Sequence, residues 1–246
     1  MAKTACLTPV LAAPNLRTGS NRTFGAFDAV AELPRIIPLF PLPNLVMFPG
    51  LRVPLHIFEP RYRQMIADIK DSDGIIGMVL LKGDWEEDYY ARPDIFAIGC
   101  AGRVDELEEL PDGRYNLILE GLGEFRLERE LRDRIYRRGE IEWCPVANAA
   151  LATDPETMET LRELLFSYLG SESAEQAWNT LVEERGLSGA ALVNFLCFHL
   201  DIAPIEKQTL LEASIERITC FLDILTFKIE ERKLGPHGPG GGRTMQ

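Results

Sequence analysis

Five prolines, Pro38, Pro41, Pro43, Pro49 and Pro54, stand within seventeen residues of an otherwise apolar stretch. Each fixes φ at about −65° and removes a ladder donor, so this stretch is not one continuous central strand. It must break into edges, bulges and turns, with Pro49-Gly50 as a tight turn. Apolar side chains on so rigid a path either form a preset binding surface or fill a core, and Leu39, Leu45, Val46 and Leu55 are the core candidates.

From there to about Val146 short apolar or alternating runs are separated by Pro, Gly and Asp, the pattern of strands joined by turns. The expected strands are 35–40, 52–57, 75–81, 95–106, 114–120, 124–132 and 135–143. Pro111-Asp112-Gly113 is a turn signal, and Tyr115, Leu117 and Leu119 then alternate onto one face. Gly121-Leu122-Gly123 lacks the rest of a dinucleotide fingerprint and reads as a hairpin turn. One helix interrupts the strands, with Pro60 at its first position and Tyr62, Met65, Ile66 and Ile69 on one face.

After Ala147 the spacing becomes helical. Pro155 opens a helix presenting Leu161, Leu164, Leu165 and Tyr168, and Ser173 with Gln176 resembles a capping box. Gly186 ends that second helix, Ser188 caps the next, Pro204 starts another, and Ser214 caps a long last helix with Ile215, Ile218, Phe221, Leu222, Leu225 and Ile229 inward. The expected organisation is α+β: a disordered N-terminal arm (1–33), a β domain with one or two helices (34–147), a C-terminal helical bundle (148–234) and a flexible Gly-rich tail (235–246).

The 246 residues carry a net charge of −12. Residues 1–35 hold four basic against two acidic side chains, 36–147 hold 14 against 21, and 148–246 hold 8 against 15. No hidden basic domain exists, so no nucleic-acid partner is expected, since that affinity rests on Lys and Arg displacing phosphate counterions. The arginines at 132, 134, 137 and 138 are the one local exception. Asp201 and Asp223 interrupt the longest apolar runs, which excludes a helical membrane span from the expectation. Lys3 and the apolar run to Ala13 imitate a signal peptide only faintly, being broken by Pro9 and followed by Pro14. Five scattered cysteines without a Cys-x-x-Cys pair read as cytosolic thiols, and the expected location is cytoplasmic.

Catalytic motifs are missing. There is no phosphate-cradling loop, no nucleophile elbow and no metal-ligand spacing around His56, His199 or His237. Glu86-Glu87 and Glu108-Glu109 read as solvated acidic runs rather than acid/base pairs. The expectation is therefore no enzyme activity, no catalytic residue, no metal and no cofactor.

Pro-Leu-Phe-Pro-Leu-Pro (38–43), Met-Phe-Pro-Gly (47–50) and Pro-Leu-His-Ile-Phe-Glu-Pro-Arg-Tyr (54–62) resemble the substrate-binding domain at the N-terminus of Lon proteases, in its stand-alone bacterial form. Later runs at 76–81, 98–102 and 112–121 resemble the strand motifs of the same family. The resemblance implies a PUA-like β pseudo-barrel followed by helices, and recognition of unfolded or damaged polypeptide. The ATPase motor and the Ser-Lys peptidase of the protease have no counterpart in the sequence.

The first functional expectation is thus an ATP-independent, non-enzymatic module that holds extended apolar segments on the β domain or in a cleft against the helices. Its candidate contacts are Met47, Phe48, Leu51, His56, Phe58, Tyr62 and Arg63, because Met and aromatic side chains adapt to varied partners and a rim arginine takes carbonyls or acids. The alternative is an adaptor whose helical half docks a folded partner, such as a protease, or a second copy in a homodimer; RNA binding through the arginine cluster ranks below both.

Overall fold

The longest strand organises the β part. The computed structural model describes residues 33–86, 89, 92–145 and 154–234, so all but the last residue of the expected arm, and the whole tail from 235, lie outside the described residues. Six strands, β1 (Ile36–Leu42), β2 (Arg52–Ile57), β3 (Ile75–Leu80), β4 (Ile98–Glu109), β5 (Tyr115–Leu131) and β6 (Arg137–Trp143), run in the order β2-β5-β4-β3-β1-β6. β6 pairs with β5 as well as with β1, which closes β1, β3, β4, β5 and β6 into a ring. Only β1 and β3 are parallel; β2 stays outside the ring, antiparallel to the first half of β5.

Ring closure depends on one large side chain and on residues that make room for it. Phe125 is fully buried, and a Cβ added to Gly99 would fall 2.6 Å from its ring and 2.5 Å from the Met78 carbonyl oxygen. Gly77 meets the same ring at 2.9 Å. A small barrel interior filled by alternating large and absent side chains is how such a ring packs without a pore.

Gly121-Leu122-Gly123 is not a turn. Two expected strands, 114–120 and 124–132, are the single 17-residue β5, with Gly121 opposite Gly102 and Gly123 opposite Ala101. The glycine serves close approach instead: a Cβ on Gly121 would lie 2.6 Å from the Phe48 carbonyl oxygen, where the Met47–Gly50 turn crosses the strand.

Helix α1 (Pro60–Ile69) buries Tyr62, Met65, Ile66 and Ile69, the face that the spacing predicts. The second half folds as α2 (Pro155–Leu169), α3 (Ser171–Trp178) continuing into a π-helical turn (Asn179–Glu184), α4 (Gly189–His199), α5 (Pro204–Glu212) and α6 (Arg217–Leu234). Asp154 caps α2 by accepting from the Thr157 N–H at 2.8 Å, with Pro155 at the first position. α3 begins at Ser171, so Ser173 lies inside its first turn rather than at a cap. Ser214 does not cap α6 either; it adopts φ 49° and leads a 3-10 turn (Ser214–Glu216), which leaves Ile215 exposed. α2 packs on α6 through a core that includes Leu161, Leu165, Phe221 and Leu225. The described residues from Arg35 onward form one compact unit.

Candidate functional site

The proline-rich run divides after Leu51. Met47 and Phe48 are buried, with Phe48 wholly enclosed, and Leu51 is nearly so. Over the Phe48 ring, 5.2 Å from its centroid, lies the Arg217 guanidinium from the start of α6. Arg217 is 1% exposed. Its Nε donates to the Leu210 carbonyl (2.8 Å), its Nη1 to Asn194 Oδ1 (2.6 Å) and its Nη2 to the Leu211 carbonyl (3.3 Å) and to the Glu124 carboxylate of β5. Asn194 Nδ2 in turn donates to the Pro49 carbonyl at 3.1 Å. Gln208 adds a bond from α5 to the Ile98 carbonyl of β4 at 3.0 Å. A buried charge pair survives only when its remaining donors and acceptors are met, and here the Arg217 guanidinium has four acceptors. Residues 47–51 are therefore the seat on which the helices rest.

Beyond Leu51 the same run turns to solvent. Pro54 and His56 are exposed on the outer face of β2, and Phe58, just before α1, is 60% exposed. His56 and Phe58 rings stack at 6.1 Å. His56 Nδ1 lies 2.7 Å from Asn116 Oδ1 and Nε2 lies 3.3 Å from Arg114 Nη1, a pair of contacts that a neutral ring with its proton on Nδ1 satisfies. Asn116 passes the chain on to Glu108 at 2.9 Å. At the opening of β2, Arg52 pairs with Asp105 and Glu106 of β4. The outer face of β2, β5 and β4 thus carries a strip of Pro54, His56 and Phe58 beside the carboxylates of β4, two of which Arg52 pairs.

Of the seven residues expected to touch a peptide, Met47, Phe48, Leu51 and Tyr62 are buried and present no surface to a partner. Burial also pushes the Tyr62 phenol well above its ordinary value. His56 and Phe58 come together at the surface, and Arg63 is half-buried on α1 with its guanidinium against the Gly113 turn. A cavity of about 10 Å3 lies between Pro41, Arg61, Tyr62 and Arg137, room for one water at most. An open depression of about 500 Å3 is lined by Gln64, Asp68 and residues 132–136, at the far end of α1.

The model of the ATP-dependent protease La (LON) substrate-binding domain matches residues 36–226. The chain belongs to the LON substrate-binding domain family. Its relatives include Lon protease 2 of Syntrophobacter fumaroxidans, 27% identical over 209 residues that cover 80% of this chain and 25% of the relative. Lon protease of Flavobacterium johnsoniae is 27% identical over 184 residues, 73% of this chain and 22% of the relative. The chain therefore spans about a quarter of the length of these curated relatives. In fold it is similar to the Lon N-terminal domain protein from Xanthomonas campestris (TM-score 0.54, 24% identity, covering 78% of this chain and 98% of that one). It is similar also to the N-terminal domain of the Mycobacterium avium complex Lon protease (TM-score 0.54, 14% identity, 80% and 98%).

In this LON substrate-binding domain three of the four arginines at 132, 134, 137 and 138 lie close to carboxylates. Arg137 is buried on Glu130 and the Pro93 carbonyl, Arg138 pairs with Asp133, and Arg134 lies 4.0 Å from Asp68. Among the described residues no group of three or more His, Cys, Asp or Glu side chains is placed to hold a metal. No described helix is long and apolar enough to cross a membrane. Burial drives the Cys100 thiol upward and the Cys197 thiol to about 12, which leaves both poor nucleophiles. Sequence reasoning missed Arg217, Glu124 and Gln208, because a charged or polar residue beside an apolar stripe reads as solvated. Asn194, a lone amide inside the run Leu192–Leu200, was the available signal.

Proposed function

We propose that this protein is a non-enzymatic module that recognises extended segments of unfolded polypeptide. What carries the reading is the family match itself, which concerns the substrate-binding part of Lon and nothing of its motor or peptidase. The exposed strip of Pro54, His56 and Phe58 supports it as the contact surface, with Arg63 at its rim; the enclosed Met47, Phe48, Leu51 and Tyr62 serve it as scaffold. Binding of reduced, carboxymethylated α-lactalbumin and of native α-lactalbumin, without nucleotide and at two salt concentrations, tests the proposal. Preferential, salt-tolerant capture of the unfolded form is expected, weakened several-fold in the His56→Ala/Phe58→Ala variant. Equal binding of both forms, or of neither, sinks it.

A second reading is an adaptor role for the helical half, favoured by Phe227 at 61% exposure on α6, one turn from half-buried Ile224. Solution mass across a dilution series of wild type and Phe227→Glu decides it. A dimer that the substitution dissolves supports docking through α6, and an unchanged monomer removes the homodimer form of this reading.

A further inference from the structure

The open edge of β2 has a definite hydrogen-bonding pattern. In an antiparallel ladder, alternate residues turn both main-chain groups toward one neighbour and the rest turn theirs away. The Leu51 carbonyl accepts from the Gly121 N–H at 2.8 Å, which sets the phase. With Val53 opposite Leu119 and Leu55 opposite Leu117, residues 53, 55 and 57 face β5, while Arg52, Pro54 and His56 face away from it. β5 is the only strand paired with β2 among the described residues. Pro54 therefore loses no bond to β5; the N–H it lacks is missing from the open side.

We infer that this edge takes one extended segment of non-native polypeptide as an added antiparallel strand, an inference that rests on the peptide-recognition reading above. The edge offers N–H donors at Arg52 and His56, roughly 13 Å apart, and carbonyl acceptors at Arg52, Pro54 and His56. An added strand makes five of the six bonds that a proline-free edge allows. Main-chain groups are common to every sequence, so this mode suits a partner defined by being unfolded rather than by its residues. Pro54 and Phe58, exposed beside the edge, select for apolar side chains on the incoming segment.

Two features point to an unfolded chain rather than a second copy or a folded sheet. If two β2 edges met antiparallel about Pro54, both prolines would fall at the centre and two of six bonds would vanish, whereas a foreign segment loses one. The other strand margin that projects from the barrel, β4 beyond Arg103, carries Asp105, Glu106, Glu108 and Glu109, all exposed, and such charge discourages strand addition. The β2 edge carries a single charged side chain, Arg52, whose guanidinium is paired with Asp105 and Glu106, and its other guard is its proline.

The test uses the full chain with two probes: reduced, carboxymethylated α-lactalbumin, and a capped seven-residue peptide of alternating Val and Thr with a central Lys, N-methylated at one residue at a time. Methylation should weaken the peptide with a period of two, about fivefold or more at residues whose N–H faces β2 and less than about twofold at those between. Pro54→Thr supplies the sixth donor and should tighten both probes by about fivefold, and it should also make the protein self-associate on concentration. Lactalbumin binding that Pro54→Thr leaves unchanged, in a variant with wild-type thermal unfolding, overturns the edge and leaves the peptide-recognition reading standing. Equal effects of methylation at every residue do the same. Failure of both probes to bind wild type and variant alike removes the edge and the reading together.

Discussion

Residues 47–51 and 54–58 are neighbours in one run and share its apolar character, yet one is sealed and the other exposed. The difference lies in what sits above them. Asn194 and Arg217 come down on Phe48 and Pro49 from α4 and α6, while among the described residues only β5 pairs with β2. One proline-rich run therefore contains two parts with different surroundings: a seat for the helices and an exposed face. Substitutions in the first part should read out as stability, and substitutions in the second as binding.

The sharpest way to break this contrast is at Arg217. Arg217→Ala leaves Glu124 and Asn194 buried without their partner, and a loss of about 3–5 kcal/mol is expected in urea unfolding. The double variant Arg217→Met/Glu124→Leu should recover most of that loss, because it removes both charges at similar volume. Phe48→Ala should cost about 3–5 kcal/mol for the same region, through a cavity at a fully enclosed ring. Failure of either to exceed about 1 kcal/mol would contradict the seat.

Next in size is Gly121→Ala, which forces a Cβ onto the Phe48 carbonyl oxygen and should destabilise by about 1–3 kcal/mol while leaving β2 itself intact. Phe58→Ala, by contrast, should change stability by less than about 0.5 kcal/mol, as an exposed position away from the core does, while reducing capture of unfolded α-lactalbumin. Equal loss of stability in Phe58→Ala and Phe48→Ala would erase the distinction between the two parts.

The smallest expected effect concerns acid. Hydrogen bonds from Gln64 and then Tyr136 hold the Asp68 carboxyl below the usual carboxylate range. A lowered folded-state value means that the unfolded chain binds the proton more readily, so this contribution is present above about pH 4 and fades as pH falls through the lowered value. Urea midpoints measured from pH 5 to pH 2.5 should fall less steeply in Asp68→Asn than in wild type. Parallel slopes would remove Asp68 from the acid response of the α1 end of the barrel.

Much of the architecture was legible because it follows from local rules. Pro60 and the spacing of Tyr62, Met65, Ile66 and Ile69 placed α1 and its buried face, and Arg52–Ile57 reads as a strand with the bounds it has. Gly121-Leu122-Gly123 misled because glycine serves both turns and close approach, and the choice depends on Phe48, more than seventy residues earlier in the chain. The candidate contacts misled in the same way. Met47 and Phe48 have the composition of a binding surface, and nothing local reveals that Arg217 lies across them. His56 and Phe58 were legible as a pair because strand alternation sets His56 outward and their separation lets the rings meet.

The amino-acid order by itself determined the class of the protein: a β half cut by prolines and glycines, a helical half, an acidic balance and the signature of a LON substrate-binding domain. These are properties of short windows, set by φ restriction, side-chain period and charge. Only the tertiary structure decided that β5 runs through its glycines and closes the ring with β6, that Arg217 ties α6 to Glu124 and the Pro49 turn, and that among the described residues β2 pairs on one side alone. Each of these depends on residues far apart in sequence competing for the same hydrogen bonds and the same volume, and that competition is resolved only when the whole chain has packed.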